Sequence, residues 1–143
     1  MDIYSKKLFL IEESLNKLNQ LKKENLTLDK YRNSWKDKDA VERNLQKIVE
    51  AIIDLGKMII ADNKYREPGN NREVFLILEE NGSFPANYLP LMDMMIGMRN
   101  IIVHSYERID DAIVFEVLQK GLKDIKKIKL YFARLIKEIN KNI

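Results

Sequence analysis

Val41, Leu45, Ile48, Ile52, Leu55 and Ile59 recur at steps of four and three. That spacing puts one branched apolar residue on the same side of every helical turn, whereas a strand needs a period of two. No segment shows a two-residue alternation, so no strands are expected. The text between them, Asp39 to Ala61, predicts a long helix that walls the core. Asp39 followed by Glu42 resembles a capping box and places its start there.

The same rhythm marks three further long helices. Leu8, Ile11, Leu15 and Leu18 draw a stripe on an N-terminal helix running to about Lys23. "NLTLDKYRNSW" then breaks the pattern. The loop-like "NKYREPGNN" separates the second helix from a short one over roughly Arg72 to Glu80, with Val74, Phe75 and Leu78 inward. From Asn87 to about Tyr106, Leu89, Met92, Met95, Ile96, Ile102 and Val103 share one broad face. After "ERIDD", Val114, Leu118, Gly121, Ile125, Ile128, Phe132, Leu135 and Ile139 give a heptad-like seam. Four long helices with short connections predict an all-α fold, an antiparallel up-and-down four-helix bundle with a short additional helix inserted between the second and third.

Composition narrows the function classes. The 143 residues suit one domain, 1–143, with no linker, repeat or low-complexity tract. Mixed charges at 33% and apolar residues at 45% describe a globular chain. There is no secretory pattern at the N-terminus and no apolar run of about 20 residues, so a cytoplasmic protein without a membrane span is expected. With no Cys and one His, neither zinc spacing nor a thiolate site is available, and no metal or cofactor is expected. Glycine-rich phosphate loops and serine elbows are likewise absent. Charge is uneven: Gln119 to Ile143 holds eight basic and two acidic residues, leaving a surplus of acid in the remainder although the chain as a whole is +3. A solvated helix face accounts for such a stripe, and attraction of phosphates is the other reading.

The chain's only histidine lies in "MRNIIVHSY". On a helix Arg99 and Tyr106 fall about 20° apart, and Asn100 and His104 share an adjacent face. Arg99 and His104 differ by about 140° and about 7.5 Å of rise, too spread for one compact site on a straight helix. A second copy of the helix would complete it. Cleaving RNA without metal needs a base for the 2′-OH, an acid for the leaving 5′-oxygen and a cation over the phosphorane. A symmetric homodimer supplies two imidazoles and two guanidiniums. The plainer reading is that His and Arg in a last turn simply complement the helix dipole.

"RNIIVHSY" carries Arg, four residues, His, one residue, Tyr, and resembles the signature of the HepT toxins of the HEPN ribonuclease superfamily. Asn100, directly after the Arg, also fits. "DAVERNLQKIVEAIIDLGKMIIA" is similar to that family's second helix, "NREVFLILEENG" to its short helix, and "LPLMDMMIGMRNIIVHSYERID" to its signature region. The likeness is continuous from about Asp37 to Asp124. It implies an all-helical homodimeric endoribonuclease toxin, metal-independent, with Arg99 and His104 catalytic and Asn100 in support. It also implies a partner, a small MntA-like nucleotidyltransferase antitoxin that transfers AMP to the motif tyrosine, here Tyr106. Added bulk and negative phosphate beside a site for RNA phosphate would block it.

Arg43, Glu50 and Asp54 interrupt the apolar text of the second helix, and the two carboxylates share a face. They are candidate supporting residues that orient His104 or Arg99, with ordinary ion pairing as the alternative. Met92, Met94, Met95 and Met98 read as core filling first and as a plastic dimer surface second. Trp35, Tyr31 and Tyr88 read as packing residues, since no interleaved aromatic and basic platform accompanies them. The competing function is a non-catalytic helical subunit that binds nucleotide or substrate for a nucleotidyltransferase, holding phosphate with Arg99 and His104. A bundle that keeps these residues for stability alone is the third.

Overall fold

The computed structural model describes residues 2–104 and 109–141, and among them only helices form. They are α1 (Ile3–Glu24), α2 (Leu28–Arg32), α3 (Trp35–Asp62), α4 (Asn71–Glu80), a 3-10 turn (Ala86–Tyr88), α5 (Leu89–His104), α6 (Asp111–Glu116), a π turn (Val117–Gly121) and α7 (Leu122–Lys141). The expected bundle is present. Tyr4 donates to Asp62, Lys7 pairs with Asp54, and Asn25 bonds Asp37, so α1 and α3 are antiparallel. Lys129 meets Glu12 while Lys123 lies near Lys22, which makes α7 antiparallel to α1. Phe84 stacks on Phe132, and Leu91 approaches Gly121, so α5 runs against α7.

α3 is buried on more sides than its stripe implied. Besides the six predicted residues, Val49, Ala51, Ile53, Gly56 and Ile60 are buried, because α1, α4, α5 and α7 all pack on it. Gly56 is the closest approach: a Cβ there would lie 2.6 Å from Val74 Cγ1 of α4. The missing side chain lets α4 lie directly on α3.

Several boundaries differ from expectation. α3 starts at Trp35, a turn before Asp39, because the Ser34 hydroxyl accepts from the Asp37 amide at 3.3 Å and caps the helix first. α2, absent from the sequence reading, is a single turn capped by Thr27 that drives Tyr31 into the core against Phe115. Asn70 caps α4, which begins at Asn71. α5 begins at Leu89 after the 3-10 turn, and its expected end at Tyr106 falls outside the described residues. The last helix is interrupted by the π turn. Its extra residue turns both Val117 and Leu118 inward and directs the Gln119 amide to the Asn25 carbonyl, 2.7 Å away, where α1 ends.

Glu42 sits half-buried near Asp39 and Asp111, and burial followed by those two charges raises its carboxyl above the ordinary value. A carboxyl raised by folding binds its proton more tightly in the native state, so it subtracts stability at neutral pH, and that loss is relieved as pH falls through the raised value. Glu42→Gln is therefore expected to be more stable than the parent at pH 7 in urea unfolding, with the advantage shrinking as the pH is lowered. Gly56→Val is expected to lower unfolding free energy by about 1–3 kcal/mol. Adding Val74→Ala should recover part of that loss, since the two positions compete for one space.

Candidate functional site

The second half of α5 carries three of the four motif residues in the described structure. Met92, Met95, Ile96 and Met98 are buried and anchor the helix on α3 and α4. Arg99 follows this anchored face, and its side chain is 22% exposed. Its Nε is buried and lies 3.4 Å from Glu50 Oε1 of α3 without the alignment of a hydrogen bond. Glu50 is held in turn: Gln46, one turn earlier on α3, donates through Nε2 to the same oxygen at 3.1 Å. At the other end of the guanidinium, Nη1 donates to Asn100 Oδ1 at 3.4 Å. Gln46, Glu50, Arg99 and Asn100 thus form a chain across the α3–α5 contact. One edge of the guanidinium faces the bundle, and among the described residues its other N–H groups make no hydrogen bond, which suits them to an incoming oxyanion.

His104 is exposed at the last described turn of α5. It lies five positions after Arg99, about 140° further round the helix, so the two side chains leave it in different directions. Tyr106 lies outside the described residues. The other candidates separate. Asp54 pairs with Lys7 of α1 at 2.8 Å, which turns it away from Arg99. Arg43 is exposed and makes no ion pair among the described residues. Of the three charges singled out on the second helix, only Glu50 reaches α5. Gln46 was not singled out, although its position four residues before Glu50 is the spacing that lets an amide reach a carboxylate.

Asn100 also borders an open cavity of about 540 Å³ between α4 and α5, lined by Asn70, Asn71, Arg72, Leu76 and Ile96 among others. Along the outer side of α5, Pro90, Met94, Gly97, Asn100 and His104 follow one another at helical spacing, and Met94 is 40% exposed. A Cβ on Gly97 would meet only Arg72 Nη2, at 3.5 Å, so this side of the helix is open to close approach. Among the described residues no group of three or more His, Asp or Glu converges as a metal site. No described helix is long and apolar enough to cross a membrane.

Residues 11–131 match the family described as Ribonuclease HepT-like. The chain belongs to this family. Endoribonuclease is accordingly its enzyme class. It is 27% identical to the mRNA nuclease HepT of Shewanella oneidensis over 125 residues, covering 87% of this chain and 92% of that one. Against the tRNA nuclease HepT of Aphanizomenon flos-aquae identity is 31% over 126 residues, covering 85% and 86%. Among solved structures, the tri-AMPylated Shewanella oneidensis HEPN toxin in complex with MNT antitoxin superposes with a TM-score of 0.84 at 25% identity, over 94% of this chain and 98% of that one. A toxin–antitoxin complex of MntA and HepT carrying a tyrosine-to-alanine substitution gives 0.84 at 25%, over 93% and 99%. The fold extends further: a cytosolic Bacillus subtilis protein, YutE, gives 0.80 at 16% identity, over 94% and 89%.

Proposed function

We propose that this chain is the toxin of a toxin–antitoxin pair, a metal-independent endoribonuclease whose active site is a cleft shared by two copies. The Glu50-braced guanidinium of Arg99 carries this reading. A cation braced along its Nε edge by Glu50, with one terminal N–H on Asn100 and others left over, suits the transition state of phosphodiester cleavage, where charge builds on the non-bridging oxygens. His104 from one copy removes the 2′-OH proton, the 2′-oxygen attacks phosphorus, and His104 from the other protonates the departing 5′-oxygen. The products are a 2′,3′-cyclic phosphate and a 5′-hydroxyl. Asn100 positions Arg99. No step requires a metal.

The shared cleft follows from the divergence of Arg99 and His104 on one helix, together with the open outer side of α5. A two-fold axis near its C-terminal turn brings both motifs together, and Gly97 allows the backbones to approach. The substrate is cellular RNA, as it is for the named mRNA and tRNA nucleases. The antitoxin is a nucleotidyltransferase of the MntA kind, in keeping with the solved complexes. It transfers AMP from ATP to the Tyr106 hydroxyl with release of pyrophosphate, placing a phosphate and a nucleoside where RNA enters.

His104→Ala is expected to abolish both growth arrest and RNA cleavage, lowering the rate by at least about a hundredfold while the helical melt is unchanged. Cleavage that survives this change, measured on purified protein in chelator, rules the mechanism out. Arg99→Ala should cost about 10²–10³ in rate. Glu50→Ala should cost less, and adding it to Arg99→Ala should cost nothing further, because Glu50 acts only through the guanidinium. Additive losses in that double variant would give Glu50 a separate role. Intact mass after incubation with antitoxin and ATP should rise by about 329 Da per AMP, and Tyr106→Phe should remove that increase.

A further inference from the structure

The bundle has a second surface whose chemistry the motif does not use. On α7, Lys123, Lys126, Lys127, Arg134 and Lys137 all lie within an arc of about 100°, strung over about 21 Å. All five are exposed, and none forms an ion pair among the described residues. Their basic neighbours on α7 and in the preceding π turn behave differently. Lys129 points between helices to Glu12 at 2.7 Å, and Lys120 lies 3.9 Å from Glu116. The free cations are therefore a property of one face.

That face borders a cleft of about 160 Å³ between α1 and α7. Asn16, Asn19 and Lys22 line it from α1, opposite Lys123 and Lys126 of α7. Glu12 is the one carboxylate among its lining residues, and Lys129 already occupies it. The Lys129 hydrogen bond, with the charges of Lys129 and Lys126 behind it, holds the Glu12 carboxyl below its ordinary value, so it stays an internal partner and not a guest's competitor. Three ammonium groups and two amides thus face one groove with no free counter-charge, an arrangement that repels itself until a polyanion enters. Leu130 stands exposed amid the α7 cations and offers an apolar contact to a ribose or base.

We infer that the α1–α7 cleft and the basic face of α7 bind the phosphate backbone of the RNA substrate, at a distance from the cleavage motif. This rests on the ribonuclease reading and extends it. α5 meets α7 through Leu91 near its start, and the motif lies about two or more turns further along α5 where it packs on α3 and α4, whereas the cleft lies between α1 and α7, so the surface engages a strand that extends beyond the scissile bond. A line of cations with amides in a groove suits a flexible phosphodiester chain, which can lay successive charges along it, and each phosphate neutralised releases counterions.

The test compares the parent with Lys123→Ala/Lys126→Ala/Lys127→Ala, and with the matching triple Lys→Arg variant. Binding of a single-stranded RNA of about 40 nucleotides is titrated at several salt concentrations, with His104→Ala added to all three proteins to prevent cleavage. The log–log salt slope is expected to fall by about 2 in the Ala triple, from about 0.7 per phosphate contact, and to be kept in the Arg triple. In proteins retaining His104, a short oligonucleotide that reaches only the motif should be cut at the parent rate by the Ala triple, while the long RNA is cut at least about tenfold more slowly at low substrate concentration. An unchanged slope overturns the inference, as does loss of antitoxin binding with RNA binding intact, which would assign the face to an acidic protein. Cleavage of the short oligonucleotide by the parent reports the ribonuclease reading separately.

Discussion

α3 is packed by other helices on several sides at once, and this constrains everything around it. Apolar residues cover the helix on several faces, so those of its charged residues that meet other helices do so through the seams between its neighbours. Each seam then acquires a partner. Asp37 takes the Asn25 amide at the end of α1, Asp54 takes Lys7 of α1, Lys38 takes Asp111 of α6, and Glu50 faces Arg99 of α5. These are partly exposed pairs worth little individually. Their value is directional, because each fixes which face of an amphipathic neighbour turns inward. The bracing of Arg99 is one instance of this pattern, the one in which the partner cation has nitrogens left over.

The long helices were legible because burial on one side leaves a periodic record. Ile11, Leu15 and Leu18, and Val41 through Ile59, are buried where their spacing put them. What the spacing did not carry was local or relational. α2 has five residues, and its two apolar members cannot establish a period. The start of α3 was decided by Ser34, one of several polar residues able to cap, and nothing in the pattern ranked it above Asp39. The π turn adds a residue to a seam that still reads as continuous apolar text, so Val117 and Leu122 join the core beside Leu118 and Gly121; near the end of α7, where steps of three and four are both open, Ile136 is more deeply buried than Leu135 or Ile139.

The site divided in the same way. Periodicity puts Glu50 and Asp54 on one face, yet cannot say which neighbouring helix each meets, and α1 claimed Asp54 while α5 met Glu50. Gln46 escaped notice because an uncharged amide in polar helix text has no distinctive signature; its role depends on where Glu50 points. Arg99, Asn100 and His104 stood out through resemblance. The divergence of Arg99 and His104 is a consequence of helical geometry alone, and it is the feature on which the proposed two-copy cleft rests.

In the proposed reading, a modest net charge conceals two surfaces with different tasks. Among the described residues near the motif, Arg99 faces Glu50 and Arg72 faces Asp93. On the outer face of α7 the basic groups are many and, among the described residues, form no ion pair. A catalytic cation has to be held in place, since a misplaced guanidinium stabilises nothing in the transition state, and that restraint costs it part of its charge to a carboxylate. A cation that only attracts a polymer gains from mobility and from having no internal partner. In the proposed mechanism this division also explains why AMP is an apt modifier of the motif tyrosine. The adenylyl group has the same parts as the substrate, one phosphate and one nucleoside, so a pocket selected to receive RNA receives its own modification without further design, and the remote basic face can still hold an RNA that is no longer cut.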